Sequence, residues 1–264
     1  MPGWKVKMIK TQWYQTRLLP WLALLFVLGR VDAADDVELL HSFPSGTVTL
    51  EQVVGMQFDS RGTLYVLDGK GASLARVQQD SLEVAVANIA QSAGLDGRHQ
   101  ISAFSLLEND DFAVADARSG GVWLLNAKGE KQAGFGEKGR KAGMINMPAA
   151  MAYSINQRLY IADAGNSEIS VYSPSGIYLY GLGQAESDKL LRLVKPQTIA
   201  VDSMEQAYAL QAGKSPVISI YEPSGKLLKR LAGEELKSIL GAKINLTTMT
   251  VDRQGRMYIA DSST

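Results

Sequence analysis

Leu159-Tyr160-Ile161-Ala162-Asp163 is a five-residue word that the chain repeats. It returns as Leu64-Tyr65-Val66-Leu67-Asp68 and Met257-Tyr258-Ile259-Ala260-Asp261, with looser copies at Phe112-Ala113-Val114-Ala115-Asp116 and Ala207-Tyr208-Ala209-Leu210-Gln211. The closing positions lie 48, 47, 48 and 50 residues apart, a period typical of stacked repeat architectures.

A second apolar segment precedes each word and ends at Asp59, Glu108, Ser154, Asp202 or Asp252. Turn residues separate the two, as in Ser60-Arg61-Gly62, Asn109-Asp110, Asn156-Gln157 and Arg253-Gln254-Gly255, so each pair reads as a β-hairpin. A polar loop follows, then a third strand such as Ile169 to Tyr172 or Ile218 to Tyr221. Ser173-Pro174-Ser175-Gly176 and Glu222-Pro223-Ser224-Gly225, with Ala127-Lys128-Gly129 as counterpart, then make a turn. Pro presets one turn position and Gly supplies a positive φ. A fourth strand closes the unit, over Ile177 to Gly181 or Lys226 to Leu231. Helical repeats would show apolar residues three and four apart, and these segments do not. The expected fold is all-β: a β-propeller of four-stranded antiparallel blades of about 48 residues, with sheet faces buried against their neighbours.

The third copy carries a family resemblance. Gly143, Met147-Pro148, Leu159 to Asp163, Gly165-Asn166 and Ile169 resemble an NHL repeat, with its Pro-led first strand, "lyvaD" second strand and Gly-Asn turn into the third. The resemblance spans residues 44–264 and is weakest in the second copy. Glu168 stands where the family usually has Arg, and Gly69-Lys70, Ala117-Arg118 and Ala212-Gly213 replace or displace Gly-Asn elsewhere. The resemblance implies the propeller fold. It also makes available a lyase or hydrolase with an axial metal ion, or an RNA-binding face.

The 264 residues carry 27 Lys plus Arg and 27 Asp plus Glu, with no Cys. Disulfides, thiolate nucleophiles and Cys-based zinc sites are therefore excluded. The neutral sum divides unevenly. Lys5, Lys7, Lys10 and Arg17 precede an apolar run from Leu18 to Gly29 and then Val31-Asp32-Ala33, the order of a secretory signal peptide cleaved after Ala33. The run falls short of the about 20 residues that cross a bilayer as a helix. Residues 1–33 hold five basic groups and one acid, so residues 34–264, the expected propeller, keep 22 basic against 26 acidic. The expected location is periplasmic or extracellular, with no stable membrane span after cleavage. The last word ends at Asp261, and two further strands would complete its blade. Val37 to Phe43 reads as a fourth strand for that blade, and the count predicts five blades or an incomplete six in a longer protein, with a compact five-bladed ring as the alternative.

Candidate chemistry is sparse. The repeated Asp68, Asp116, Asp163 and Asp261 end strands, where a carboxylate caps the backbone N–H groups of the next turn. Tyr65, Tyr160, Tyr208 and Tyr258 recur in register and suit packing between blades. His41 and His99 lie in different units, which leaves no histidine-rich zinc site. Gly213-Lys214-Ser215 lacks the earlier glycine of a phosphate loop, because Tyr208 stands there. Gly181-Leu182-Gly183 lacks the third glycine of a dinucleotide fingerprint, because Glu186 stands there.

No catalytic residue, metal ligand or cofactor is assigned. Basic residues concentrate in the loops between blades, at Lys138, Arg140 and Lys141 and at Lys189, Arg192 and Lys195. The candidate binding residues on that loop face are Arg118, Arg140, Asn166, Lys195 and Lys214. The expected function is an exported, non-catalytic binding or scaffold module for a protein or glycan partner. An acidic exported chain argues against a nucleic-acid partner. The alternative is a propeller enzyme of lyase or lactone-hydrolase type with an axial metal ion.

Overall fold

A computed structural model describes residues 6–10, 48, 50–70, 72–78, 81–95, 98–184, 189–213, 215–240, 244–252 and 255–261. The expected strand over Val37 to Phe43 lies outside the described residues, as does the expected signal apart from β1 (Val6–Lys10). The repeat then builds five sheets in succession. The first is β2 (Val53–Phe58), β3 (Leu64–Asp68), β4 (Ser73–Gln78) and β5 (Ser81–Val86). The second is β6 (Ile101–Leu106), β7 (Phe112–Asp116), β8 (Val122–Leu125) and β9 (Lys131–Phe135). The third is β10 (Pro148–Tyr153), β11 (Leu159–Asp163), β12 (Glu168–Tyr172) and β13 (Tyr178–Leu182). The fourth is β14 (Thr198–Val201), β15 (Ala207–Gln211), β16 (Val217–Tyr221) and β17 (Leu227–Ala232). The fifth pairs β18 (Leu246–Val251) with β19 (Met257–Asp261). Within the first four sheets every neighbouring pair is antiparallel.

The turn chemistry works as the sequence implies. Gly129, Gly176 and Gly225 have φ of 83°, 81° and 91°, and each donates its N–H to the carbonyl three residues back, on Asn126, Ser173 and Glu222. Only a residue without a Cβ adopts that backbone at no steric cost. The extra residue shifts the register between third and fourth strands in all three sheets, as a bulge does.

The repeated word forms the second strand of each sheet and is buried on both faces in β3, β7, β11 and β15. That explains why it reads as a continuous apolar run. Side chains of β11 alternate between two cores: Leu159 and Ile161 meet Ala113 and Ala115 of the preceding unit and Met151 of their own, while Tyr160 and Ala162 meet Ile199, Ala207 and Tyr221 of the following one. Tyr65 and Tyr208 likewise sit in cores between successive sheets, and Ala113 takes the equivalent place in the second. Four such cores join the five sheets in chain order, and the first strands β2, β6, β10, β14 and β18 pack successively against one another. Among the described residues no corresponding core joins the fifth sheet to the first.

The fifth sheet ends differently. Where the other sheets place an antiparallel third strand, β1 lies parallel to β19, with Val6 opposite Met257 and Lys10 opposite Asp261. A bare strand edge is a template for any extended segment. Two connections contain helices that their loop-like composition does not announce: α1 (Ile89–Ser92) and α2 (Gly233–Leu240). Leu236 and Leu240, one turn apart, bury the inner side of α2. No helix among the described residues is long and apolar enough to cross a membrane.

Candidate functional site: the loop face of blades two to four

In a meander of four antiparallel strands, the loop after the second strand and the connection to the next sheet emerge at the same end. The repeated carboxylate anchors both. Asp68 accepts hydrogen bonds from the N–H groups of Glu51, Gln52 and Lys70 at 3.1, 2.9 and 3.2 Å. Asp116 accepts from Gln100 N at 2.7 Å, Arg118 N at 3.0 Å, Ser119 N at 3.3 Å and Ser119 Oγ at 2.8 Å. Asp163 accepts from Asn146 N at 2.9 Å, Asn166 N at 3.2 Å and Asn166 Nδ2 at 2.8 Å. In the fourth sheet Gln211 takes this place, its Oε1 accepting from Val194 N. The acceptor thus ties the turn that follows it to the segment entering its own sheet, which is a structural role. The side chain of Asp261 lies outside the described residues.

Burial raises the Asp163 carboxyl to about 6 from its ordinary 3.8, against the lowering pull of the Asn146 and Asn166 donors, and neighbouring Glu168 adds to the rise. Tyr160, Tyr172 and Tyr208 are pushed up by the same loss of solvent. Among the described residues no three His, Cys, Asp or Glu side chains are grouped to hold a metal ion.

Four of the five candidate binding residues come to this face, on loops that touch in sequence. Lys214 lies outside the described residues. Arg118 stands on the loop after β7, where Gly120 approaches so closely that a Cβ would meet Lys138 N at 2.8 Å and Ile145 O at 2.4 Å. Arg140 lies on that neighbouring loop. Asn166, on the next, donates through Nδ2 to Gly139 O at 2.9 Å and Met144 O at 3.3 Å, so its amide holds loops together rather than facing solvent. Lys195 closes the series, its N–H donating to Ser167 Oγ at 3.2 Å.

Arginines at the hairpin-turn end are paired, although Lys128 and Lys226 there are exposed and have no ion-pair partner among the described residues. Arg61 pairs with Asp59 and Asp110, Arg158 with Glu205 and Arg256 with Asp252. At the loop end of blades two to four, Arg118, Lys138, Arg140, Lys141 and Lys195 are all exposed, and none has an ion-pair partner among the described residues. Lys70, on the corresponding loop of the first sheet, is paired with Glu51. Composition alone did not single out Met147 and Val194, which lie on these loops and are 56% and 58% exposed. A positive φ of 60° at Met147 is a backbone feature without a sequence signal.

No family model matches the chain, and no curated protein matches it. Solved structures do resemble it. A virginiamycin B lyase from Staphylococcus aureus is 8% identical over 80% of this chain and 63% of its own, with a TM-score of 0.56. A chain of a nidogen/laminin complex is 14% identical over 79% and 72%, with a TM-score of 0.57. YCF48 bound to a D1 peptide is 12% identical over 82% and 65%, with a TM-score of 0.52. The chain spans about three fifths of the length of several lyase structures that it resembles. At such identities the likeness speaks for the fold alone: this chain is built as a β-propeller, like those proteins.

Proposed function

We propose that the chain is an exported, non-catalytic propeller of the NHL type that presents the loop face of blades two to four to a protein or glycan partner. The observation that carries this reading is the contiguous row of exposed cations at one end of a scaffold whose hairpin-turn arginines Arg61, Arg158 and Arg256 are paired. A fold that leaves charges uncommitted on loops held from below by buried carboxylates has a preorganised surface, which reduces the ordering cost of binding. The nidogen/laminin complex and YCF48 with its D1 peptide are propeller-type neighbours seen with protein partners. The NHL assignment rests on Leu159 to Asp163 and Gly165-Asn166, and export on the signal-like residues 1–33.

Likeness to a lyase keeps an enzyme with an axial cation as the rival. Elemental analysis of the purified exported protein separates the two, since a stoichiometric, tightly held cation favours the enzyme. The binding reading expects a ligand on peptide or glycan arrays that is lost when Arg118, Arg140 and Lys195 are changed together to Glu. Mass spectrometry of the mature chain should find Ala34 at its N-terminus, and an intact Met1 would overturn export.

A further inference from the structure

Resting on that reading, we infer that the loop face of blades two to four docks an acidic, extended peptide segment of a partner protein that also carries aliphatic side chains. Three observations converge on this chemistry. Arg118, Lys138, Arg140, Lys141 and Lys195 present unpaired positive charge on successive loops, although the chain as a whole is neutral. A carboxylate-rich strand laid across those loops is the complementary charge pattern. Met147 and Val194 are large apolar side chains more than half exposed among the cations, and a purely polar ligand would leave them wet. Interface cores are built from such side chains, with charges around them.

The loops themselves decide between partner classes. Residues 117–121, 136–147, 164–167 and 183–197 contain no Phe, Tyr or Trp, and the Trp123 ring of β8, set against Gly121, is half-buried. Single-stranded nucleic acids rely on aromatic platforms for base stacking, and the flat apolar faces of sugars seek the same rings. An aliphatic and cationic surface instead matches alternating acidic and aliphatic side chains. The platform is stiff beneath it: Gly120 is packed against Lys138 and Ile145, and Asn166 is bonded to Gly139 and Met144. Binding therefore orders little more than the long basic side chains.

The test uses the full chain and fluorescein-labelled synthetic peptides followed by anisotropy. A peptide alternating Glu and Leu should bind about tenfold more tightly than one alternating Glu and Ser or Lys and Leu, and added salt should weaken it. Changing Arg118, Arg140 and Lys195 together to Glu should cost about tenfold or more, and Met147→Ser with Val194→Ser should cost several-fold. Lys128→Glu with Lys226→Glu, exposed on the opposite end, should leave binding unchanged, and circular dichroism with thermal melts confirms that each variant is folded. Equal binding of the Glu–Leu and Glu–Ser peptides, or indifference to the triple reversal in a folded variant, overturns the inference. Tighter binding of oligouridylate than of any peptide assigns the face to nucleic acid and overturns it too. If the arrays return a neutral glycan while the Glu–Leu peptide does not bind, the binding-module reading stands and the peptide inference falls. Absence of any ligand at this face removes both.

Discussion

Arg61 Nη2 donates to Asp110 Oδ2 at 2.6 Å, from the hairpin turn of the first blade to that of the second, 49 positions along the chain. The repeat period reappears as the reach of a side chain. Gln157 Nε2 spans the same 49 positions to Glu108 Oε1 at 2.9 Å, and Gln57 Oε1 accepts from Leu106 N at 2.8 Å across one period as well. Such contacts hold successive blades in register at the turn end, as the buried carboxylates Asp68, Asp116 and Asp163 do within the first three blades at the loop end.

The third and fourth blades are joined through a charge that is buried. Glu205, 3% exposed, accepts from Ser154 Oγ and pairs with Arg158 Nη1 at 3.1 Å. Arg158→Ala should strand that carboxylate and destabilise the protein by about 2 kcal/mol in urea unfolding. This is below the figure for a fully buried pair because the Arg158 side chain is 35% exposed. Arg61→Ala, at an exposed pair that salt and water screen, should move the urea midpoint far less.

Removal of a cap should be costly where it is saturated. Asp116 is 2% exposed and accepts four hydrogen bonds. Asp116→Ala leaves those donors unmet and should cost about 2 to 4 kcal/mol, while Asp116→Asn keeps one acceptor oxygen and should cost about half as much. Denaturant midpoints of the two variants against the parent measure the difference.

Asp163 confers a pH dependence. Its carboxyl titrates near 3.8 when unfolded and at about 6 when folded, so between those values the native chain holds a proton that the unfolded chain has released. Its contribution to stability is complete below about pH 4 and is lost as pH rises through about 6, an effect on the order of 3 kcal/mol. Urea unfolding from about pH 4 to about pH 7 should show this fall, and Asp163→Asn should flatten it.

Two glycines with positive φ should respond differently to alanine. At Gly62, φ 84°, a Cβ would meet nothing within 4 Å, and Gly62→Ala should cost only the backbone strain of about 1 kcal/mol. At Gly120, φ 70°, it would meet the backbone of Ile145 and Lys138 at 2.4 and 2.8 Å. Gly120→Ala should cost about 2 kcal/mol or more and separate the Arg118 loop from the Arg140 loop, which also weakens ligand binding. Thermal melts beside the peptide titration test both effects.

Much of this was legible in residue order. The word ending in Asp163 set the strand type, the period and the order of strands in each sheet, because a strand buried on both faces must be apolar throughout and a hairpin must turn on Gly, Asn or Asp. The helix α2 escaped that reading, because Leu236 and Leu240 show their purpose only where a neighbouring sheet covers them. The candidate residues Arg118, Arg140 and Lys195 were visible as charges in loops, but not as neighbours. Asn166 looked like a surface residue and proved to be a tie between loops.

The sequence by itself determined that the chain makes successive four-stranded blades, since alternation, turn residues and period are local and repeat with it. Only the tertiary structure decided which cations are neutralised and which remain available. Arg61 finds Asp110 only because the next blade brings it across the turn end, whereas Arg118, Arg140 and Lys195 face solvent beside Asp116 and Asp163, whose carboxylates are already occupied by backbone N–H groups.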